Sequence, residues 1–363
     1  MKIIRENRKN LFFIMIVVVL ALMPLLLSND MIKSTTVQFL GKCIAYSIIA
    51  IALDLIWGHT GILSLGHGLY FCLGGYAMAM YLKLQATGGA ITDFMRTGGL
   101  TELPLIWRPF GSFVGTAVML VVVPVILSGL LGYFIFKNRV KGVYFSIISQ
   151  ALTWAAYSIF IAMSPYTNGN VGITEITPIV GSIRGERNMG NLILLFYIAL
   201  AVLTVVYIIA ALLVKSKFGK VLIAIRDGEN RTYFSGYNVS LYKTAVYALS
   251  ALLAAVAGAI FVNFNGSITP SQMTISFSIT MVIWVALGGR GTLIGAVLGA
   301  FLVNLCEYNM SSGALVEIWQ YIIGGLFVVT ILFFKDGIMG LVTKQIPALV
   351  RKLRDHRKGE ELI

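Results

Sequence analysis

Apolar residues occur along this chain in long blocks that are separated by shorter polar segments. The blocks cover residues 11–28, 37–56, 62–82, 112–136, 143–163, 191–214, 244–264, 274–287, 292–306 and 315–334. A helix that crosses a bilayer needs about 20 apolar residues, and it satisfies its own backbone hydrogen bonds where no water is present. The pattern therefore predicts an all-α, polytopic integral membrane protein with about ten transmembrane helices in a single domain, residues 1–363.

Two of these blocks are shorter than a simple crossing requires. Residues 274–287 and 292–306 are separated only by the sequence GGRG, and they form either two tilted helices or one interrupted, re-entrant hairpin. Some of the predicted spans are thus expected to be broken. The first block follows a basic start, and no cleavage site of small residues comes after it, so we expect a retained helix rather than a signal peptide.

The distribution of basic residues predicts the orientation of the spans. If the N-terminus is cytoplasmic and the spans alternate, the inner segments hold 21 Lys and Arg residues and the outer segments hold six, with Lys42 inside a span. Basic residues accumulate on the cytoplasmic side of membrane proteins. The sequence therefore predicts a multi-pass protein of the bacterial plasma (inner) membrane with both termini in the cytoplasm.

The composition agrees with a membrane protein, and in such a protein the net positive charge reflects orientation in the membrane rather than binding to nucleic acid. The chain has 363 residues, of which 58% are hydrophobic, and a formal net charge of +13. Because the positive-inside rule accounts for this charge, no nucleic-acid partner is expected. The basic tail, residues 335–363, is predicted either to lie on the anionic inner leaflet or to remain in solvent. The three cysteines have no metal-type spacing and are interpreted as packing residues.

The sequence lacks two common motifs that would indicate ATP binding or metal-dependent catalysis. The nucleotide-binding pattern G-x-x-x-x-G-K-[ST] and the metal-binding pattern H-E-x-x-H are both absent. We therefore expect no enzyme activity, no metal and no cofactor. Lys42 and Asp54 lie toward opposite ends of one predicted helix, where each side chain can snorkel to the membrane surface. Ion-coupled carriers typically have an acidic residue at the centre of a span, and the sequence shows none there, which argues against this class of transporter.

The inner segment 215–243 differs from the other loops. It contains six basic and two acidic residues, yet Val221, Leu222, Ile223 and Ile225 are clustered at its centre. This pattern predicts a short helix that packs its apolar side on a partner and leaves charges at the rim; a solvated loop is the alternative.

Several separated motifs resemble one known family. The runs GHTGILSLGHGLYFCLGGYAMAMYL, GNVGITEIT, FGKVLIAIRDGENRTYFSGYN and MVIWVALGGRGTLIGAVLGA occur in this order between about residues 40 and 335. They resemble the permease subunits of ATP-binding cassette (ABC) importers for branched-chain amino acids and urea. The runs LSLGHG, SGYN and WVALGGRGTL are most similar to the urea-type branch. The resemblance implies a permease that translocates urea or short amides; a branched-chain amino acid permease is the alternative.

The resemblance also implies partners. They are a second homologous permease subunit, two cytoplasmic ATPase subunits, an extracytoplasmic substrate-binding protein and membrane lipid. By this resemblance, segment 215–243 couples the permease to the ATPases. The candidate coupling residues are Phe218, Gly219, Ile225, Arg226, Asp227, Glu229, Arg231 and Gly236. A stand-alone channel or facilitator would need neither the partners nor a coupling segment.

The glycine-rich stretch at residues 58–76 and the later run around residues 288–300 have two interpretations. Irregular backbone at membrane depth lines an aqueous path or gate in many transporters, whereas glycine in helices also allows close packing. A path for a neutral solute would offer uncharged hydrogen-bonding groups. The candidate path residues are Thr60, Ser64, Gly66, His67, Gly68, Tyr70, Gly289, Arg290, Gly291 and Asn304.

Overall fold

The computed structural model describes residues 12–23, 34–140, 142–179 and 189–310, together with 321, 322, 324, 325, 328 and 337–340. Ten main helices are labelled in chain order. They are α1 (Phe12–Met23), α2 (Ser34–Thr60), α3 (His67–Ala86), α4 (Phe113–Lys137), α5 (Gly142–Ala162), α6 (Met189–Lys215), α7 (Lys217–Phe234), α8 (Val239–Asn265), α9 (Ile275–Gly288) and α10 (Leu293–Met310). Short helices occur at Asp93–Thr97, Arg108–Gly111, Ser164–Thr167, Pro270–Met273 and Gly337–Gly340.

The predicted all-α membrane architecture is confirmed. Within the described ranges, six helices (α2, α4, α5, α6, α8 and α10) are long and apolar enough to cross a bilayer, and α1 and α9 are shorter apolar helices. Helix α3 has 20 residues, enough to cross, but it is less apolar and is largely buried in the protein. Nine of the ten predicted spans fall on labelled helices. The tenth, 315–334, and the tail, 335–363, lie almost entirely outside the described residues.

Helices α2 and α8 form the centre of the bundle. In the most apolar window of α2, 78% of the residues are buried, and the corresponding value for α8 is 67%. Helix α8 packs against α3, α2 and α4, while α2 also packs against α6 and α10. In α4 and α5 only 17% of the window is buried, and their outward residues include Val114, Ile126 and Ile147. These apolar outer faces suit contact with lipid.

Glycines allow two pairs of helices to approach closely. A Cβ atom at Gly74 of α3 would overlap the carbonyl oxygen of Ala255 in α8, and one at Gly258 of α8 would overlap the carbonyl oxygen of Phe71 in α3. The same relation joins α9 and α10, where Gly299 meets the carbonyl of Trp284. Small residues at such contacts let backbones pack where the hydrophobic effect provides no driving force. For these helical glycines the structure supports the packing interpretation.

Helices α9 and α10 form a hairpin that packs against α2. At one end, the Nε atom of Arg290 in the connecting turn donates to the carbonyl oxygen of Trp57, near the C-terminus of α2. At the other end, the ring of Tyr308 stacks on Phe39, near the start of α2, with centroids 4.3 Å apart. The two short blocks are therefore two helices joined by a turn, and α10 extends between the two ends of α2.

The connecting segments gather at two opposite ends of the bundle. At one end, Trp107 Nε1 donates to Tyr166 O at 3.1 Å, and Ile173 pairs with Ile268 in an isolated antiparallel bridge. These contacts join the predicted outer loops 83–111, 164–190 and 265–273. The predicted inner segments 57–61, 215–243 and 288–291 also contact one another, at the other end of α2. This arrangement agrees with the predicted alternation of the spans.

The grouping of the loops leads to a labelling prediction. In a Cys306→Ser background, which removes the one exposed cysteine among the described residues, Thr97→Cys is expected to react with an impermeant maleimide in intact cells. Asn138→Cys is expected to react only after the membrane is opened, because the two exposed positions lie at opposite ends of the bundle. Labelling of both positions in intact cells would contradict the predicted orientation.

Candidate functional site

The helical chain is interrupted between α2 and α3. Residues 61–66 are not helical, and Gly61 adopts a positive φ of 81°, which side-chain-bearing residues rarely adopt. Two serines of α5 satisfy this backbone: Ser146 Oγ donates to Leu63 O at 2.6 Å, and Leu65 N donates to Ser149 Oγ at 3.2 Å. We call residues 61–66 the break. Irregular backbone within an apolar helix bundle is stable here because the protein supplies hydrogen-bond partners to Leu63 and Leu65.

His67, the first residue of α3, is completely buried and uses both of its ring nitrogens. Nε2 lies 2.6 Å from Ser250 Oγ in α8, and Nδ1 lies 3.0 Å from Ser64 Oγ. The Ser250 hydroxyl donates to Ala52 O, so it accepts from His67 and places the ring proton on Nε2. Nδ1 then accepts from Ser64. The neutral ring thus connects the break to α8 through hydroxyl groups.

Two tyrosines extend this polar cluster. Tyr70, a predicted path residue, forms a hydrogen bond with Tyr247 of α8, with the two hydroxyl oxygens 2.8 Å apart. Both rings stand edge-on to His67, at centroid distances of 6.3 and 6.2 Å. The sequence analysis missed Ser250 and Tyr247. Their signal was the presence of hydroxyl groups within the apolar run of α8, where a polar group needs a buried partner.

Two other predicted path residues, Thr60 and Asn304, form no hydrogen bond with the His67 cluster. The Thr60 hydroxyl donates to Ile56 O, and Asn304 Nδ2 donates to Ala300 O at 2.7 Å, so each bonds within its own helix. Gly66 and Gly68 make close approaches instead. A Cβ at Gly66 would lie 3.1 Å from the Cβ of Ser149, and one at Gly68 would lie 2.5 Å from Gln272 O.

The turn between α9 and α10 meets the C-terminal end of α2 rather than the His67 cluster. Gly289 and Gly291 have positive φ values of 119° and 76°, which form this turn. Gly291 N donates to Asp54 Oδ1 at 2.6 Å. The expectation that Asp54 snorkels to the membrane surface is wrong, because its side chain is fully buried and bonds to this turn. Lys42 Nζ reaches Asn265 Oδ1 at 3.4 Å.

Two arginines contact the same end of α2. Arg226 of α7 donates through Nη1 to Gly58 O at 2.9 Å, and Arg290 donates through Nε to Trp57 O at 3.2 Å. The last carbonyls of a helix lack intrahelical partners and carry the negative end of its dipole, so guanidinium groups are favourable there. Partial burial and the charge of Arg226 lower the pKa of Arg290, while Asp54 raises it.

The predicted helix within segment 215–243 is present as α7, but its apolar face is used differently. Ser216 caps its start by accepting from Gly219 N at 3.3 Å. Val221, Leu222 and Ile225 are buried against this chain's own helices, with Val239 and Tyr242 adjoining. The expectation that this apolar face covers a partner is therefore wrong. Its burial in the same chain orients α7 and leaves the opposite face free.

The exposed face of α7 carries charged and aromatic groups. Asp227, Glu229 and Arg231 are exposed, and the helix is interrupted among them at Gly228, whose φ of −174° and ψ of 81° are not helical. Arg226 Nε bonds Asp227 Oδ1 at 3.0 Å, and Glu229 pairs with the buried Lys243. Arg231 donates to Asp227 O.

Predicted coupling residues are thus divided between the two faces of α7. Gly219 and Ile225 are buried, and Phe218 stacks on Tyr242 at a centroid distance of 5.2 Å. Phe234, at the end of the helix, is 85% exposed, and Tyr233 beside it is 48% exposed. Gly236 follows in an exposed turn with a φ of 88°.

Comparison with known proteins identifies the family. The family model described as "Branched-chain amino acid transport system / permease component" matches residues 35–332. The chain is 22% identical to the high-affinity branched-chain amino acid transport system permease protein LivM of Salmonella typhimurium, over 98% of this chain and 79% of that protein. It is 24% identical to the probable LivM of Methanocaldococcus jannaschii, over 85% of this chain and 94% of that protein. No solved structure matches the chain.

The family match covers the break, the α9–α10 turn and α7 together. LivM of Escherichia coli is also similar, at 21% identity over 93% of this chain. These alignments extend along almost the whole chain, so the similarity is not confined to one glycine-rich motif. The chain belongs to the family of permease components of branched-chain amino acid transport systems.

Proposed function

We propose that this chain is the membrane-spanning subunit of an ABC importer that carries branched-chain amino acids. The observation that carries the proposal is the family match over residues 35–332, supported by LivM proteins that align over most of their own length. This favours the amino-acid alternative over the urea-type branch expected from the short motifs. Transport of urea stays a prediction, and it serves below as the competing outcome.

In this proposal the chain obtains its energy from partners. The sequence has no nucleotide-binding pattern of the G-x-x-x-x-G-K-[ST] type, so ATP hydrolysis is assigned to two cytoplasmic ATPase subunits. A second homologous permease completes the translocation path, and an extracytoplasmic binding protein delivers the substrate. A stand-alone facilitator is the alternative, and it is distinguished by whether ATPase subunits purify with the chain.

The exposed side of α7 is proposed as the surface that binds an ATPase subunit. Its apolar face is already covered by the chain itself, so the partner meets Asp227, Arg231 and the aromatic side chains at the end of the helix. Phe234 is the largest exposed apolar group there. Exposed aromatic groups surrounded by charges are typical anchors of protein interfaces.

The break and the His67 cluster are proposed as the gate of the path. His67 is fully buried and both ring nitrogens are occupied, so a solute reaches it only when the bond to Ser64 or Ser250 opens. A break held by hydroxyl groups opens more easily than a continuous helix, because exchange of one hydrogen bond for another costs little. Movement of residues 61–66 would then admit the solute.

The substrate is tested by uptake into proteoliposomes that contain this chain with the proposed second permease, ATPase subunits and binding protein. Leucine uptake is expected to require ATP and to fall with excess isoleucine or valine, because these solutes share an apolar branched side chain. Excess urea is expected to have no effect. Uptake of urea that leucine does not inhibit would restore the urea-type assignment.

The docking surface is tested by Phe234→Ala. Loss of this anchor is expected to lower the amount of ATPase subunit that purifies with the permease by about tenfold, as for a central interface residue. Phe134→Ala is the matched control, because Phe134 is also an exposed phenylalanine, at 60%, but lies on the lipid-facing helix α4. Equal losses in both variants would contradict a specific role for Phe234.

The gate is tested by two substitutions of His67. Glutamine keeps one donor and one acceptor, so His67→Gln is expected to retain part of the leucine uptake, whereas His67→Leu is expected to abolish it. Ser250→Ala removes one partner while keeping the ring, and it is expected to reduce uptake less than His67→Leu. Normal uptake by a properly inserted His67→Leu protein would assign His67 to packing alone, as would failure of all three variants to accumulate.

A further inference from the structure

Three segments that are far apart in the sequence meet at the C-terminal end of α2. The cytoplasmic-side helix α7 contributes Arg226, the α9–α10 turn contributes Arg290 and Gly291, and α2 contributes Asp54 and the carbonyls of its last turn. We call this set of contacts the junction. It lies immediately before Gly61, where the helix gives way to the break.

The contacts at the junction are direct and close. Arg226 Nη1 lies 2.9 Å from Gly58 O, and Gly291 N lies 2.6 Å from Asp54 Oδ1. A Cβ on Gly61 would lie 3.1 Å from the Cγ of Arg226, so the side chain of α7 touches the start of the break itself. Arg226 thus joins the first part of α7 directly to α2, and the kink at Gly228 lies between Arg226 and Phe234.

The chemistry of the junction also makes its contacts costly to break. The carboxyl group of Asp54 is fully buried, and Gly291 N is the one hydrogen-bond donor that the described residues offer it, at Oδ1, so loss of this bond would leave both oxygens unpaired at a cost. When Asp54 moves, Gly291 is therefore expected to move with it, and when Arg226 moves, Gly58 is expected to move with it. Displacement of α7 acts on α2 and, through Asp54, on the α9–α10 turn as well.

We propose that Arg226 and Asp54 are positioning residues that transmit movement of α7 to the break and to the α9–α10 turn. The inference rests on the proposed function, since an ATPase subunit must move α7. In this proposal Arg226 contacts only its own chain, whereas other residues of α7 face the ATPase subunit. Arg226 is thus the inner end of the coupling path, and the Phe234 region is its outer end.

The experiment measures transmission separately from transport. A single reporter, Leu65→Cys, is placed on the half-buried Leu65 of the break in a Cys306→Ser background. Its rate of maleimide labelling is measured in the assembled complex with and without a non-hydrolysable ATP analogue. With Arg226 intact, nucleotide is expected to change the rate by at least about threefold, and with Arg226→Ala the change is expected to disappear. Asp54→Ala is tested with a second reporter in a separate protein, Thr292→Cys at the half-buried end of the α9–α10 turn, where the nucleotide response is expected to disappear.

Matched variants separate transmission from folding and from docking. Lys220→Ala removes an exposed positive charge from the same helix, and it is expected to keep the full nucleotide response. Asp54→Asn keeps an acceptor for Gly291 N–H and is expected to retain part of the response. Because Arg226 precedes Asp54 on the path to the turn, the double variant is expected to resemble Arg226→Ala at both reporters. If Arg226→Ala fails to accumulate, Arg226→Lys replaces it and is expected to give a reduced response.

The results distinguish this inference from the proposed function. A persistent nucleotide response in Arg226→Ala, or no response in the parent protein, overturns the inference. Loss of bound ATPase subunits in Arg226→Ala also overturns it, because the residue would then act in docking. A parent protein that shows the nucleotide response but no uptake of leucine refutes the proposed substrate and leaves the junction intact.

Discussion

The absence of water inside a membrane is the constraint on which the rest of this structure depends. A helix meets that constraint alone, but residues 61–66 are not helical and need hydrogen-bond partners from elsewhere. Ser146 and Ser149 supply them, and this explains the position of α5, a helix with little buried surface. Its attachment depends on hydroxyl groups as well as on apolar packing.

The two ends of the break are held by different chemistry. On the α2 side, Arg226 binds a helix-terminal carbonyl, and the buried carboxylate of Asp54 binds a neighbouring turn. On the α3 side, His67 is held by neutral hydroxyl groups. The charged Arg226 therefore helps to fix the end that faces α7, while neutral hydrogen bonds hold the end that faces the centre of the bundle. A conformational change that begins at α7 meets least resistance in the break.

Most of the architecture was predictable because apolar blocks and helix length are local properties of a sequence. The locations of α2 to α6, α8 and the α9–α10 pair follow from them, and so does the existence of α7. The contacts of Asp54 and of the apolar face of α7 were predicted wrongly, because burial depends on which distant segment packs there. Ser250 was missed for the same reason: nothing near it in the sequence reveals that His67 is its partner.

The glycine contacts between α3 and α8 have a consequence at the level of the gene. Every amino acid that a single-base change can substitute for glycine carries a Cβ atom, and at Gly74 or Gly258 that atom would overlap a carbonyl oxygen of the facing helix. No missense change at these codons is sterically neutral, whereas the outward residues of α4 can exchange one apolar side chain for another. Harmful alleles of this permease should therefore concentrate at positions that have no side chain at all.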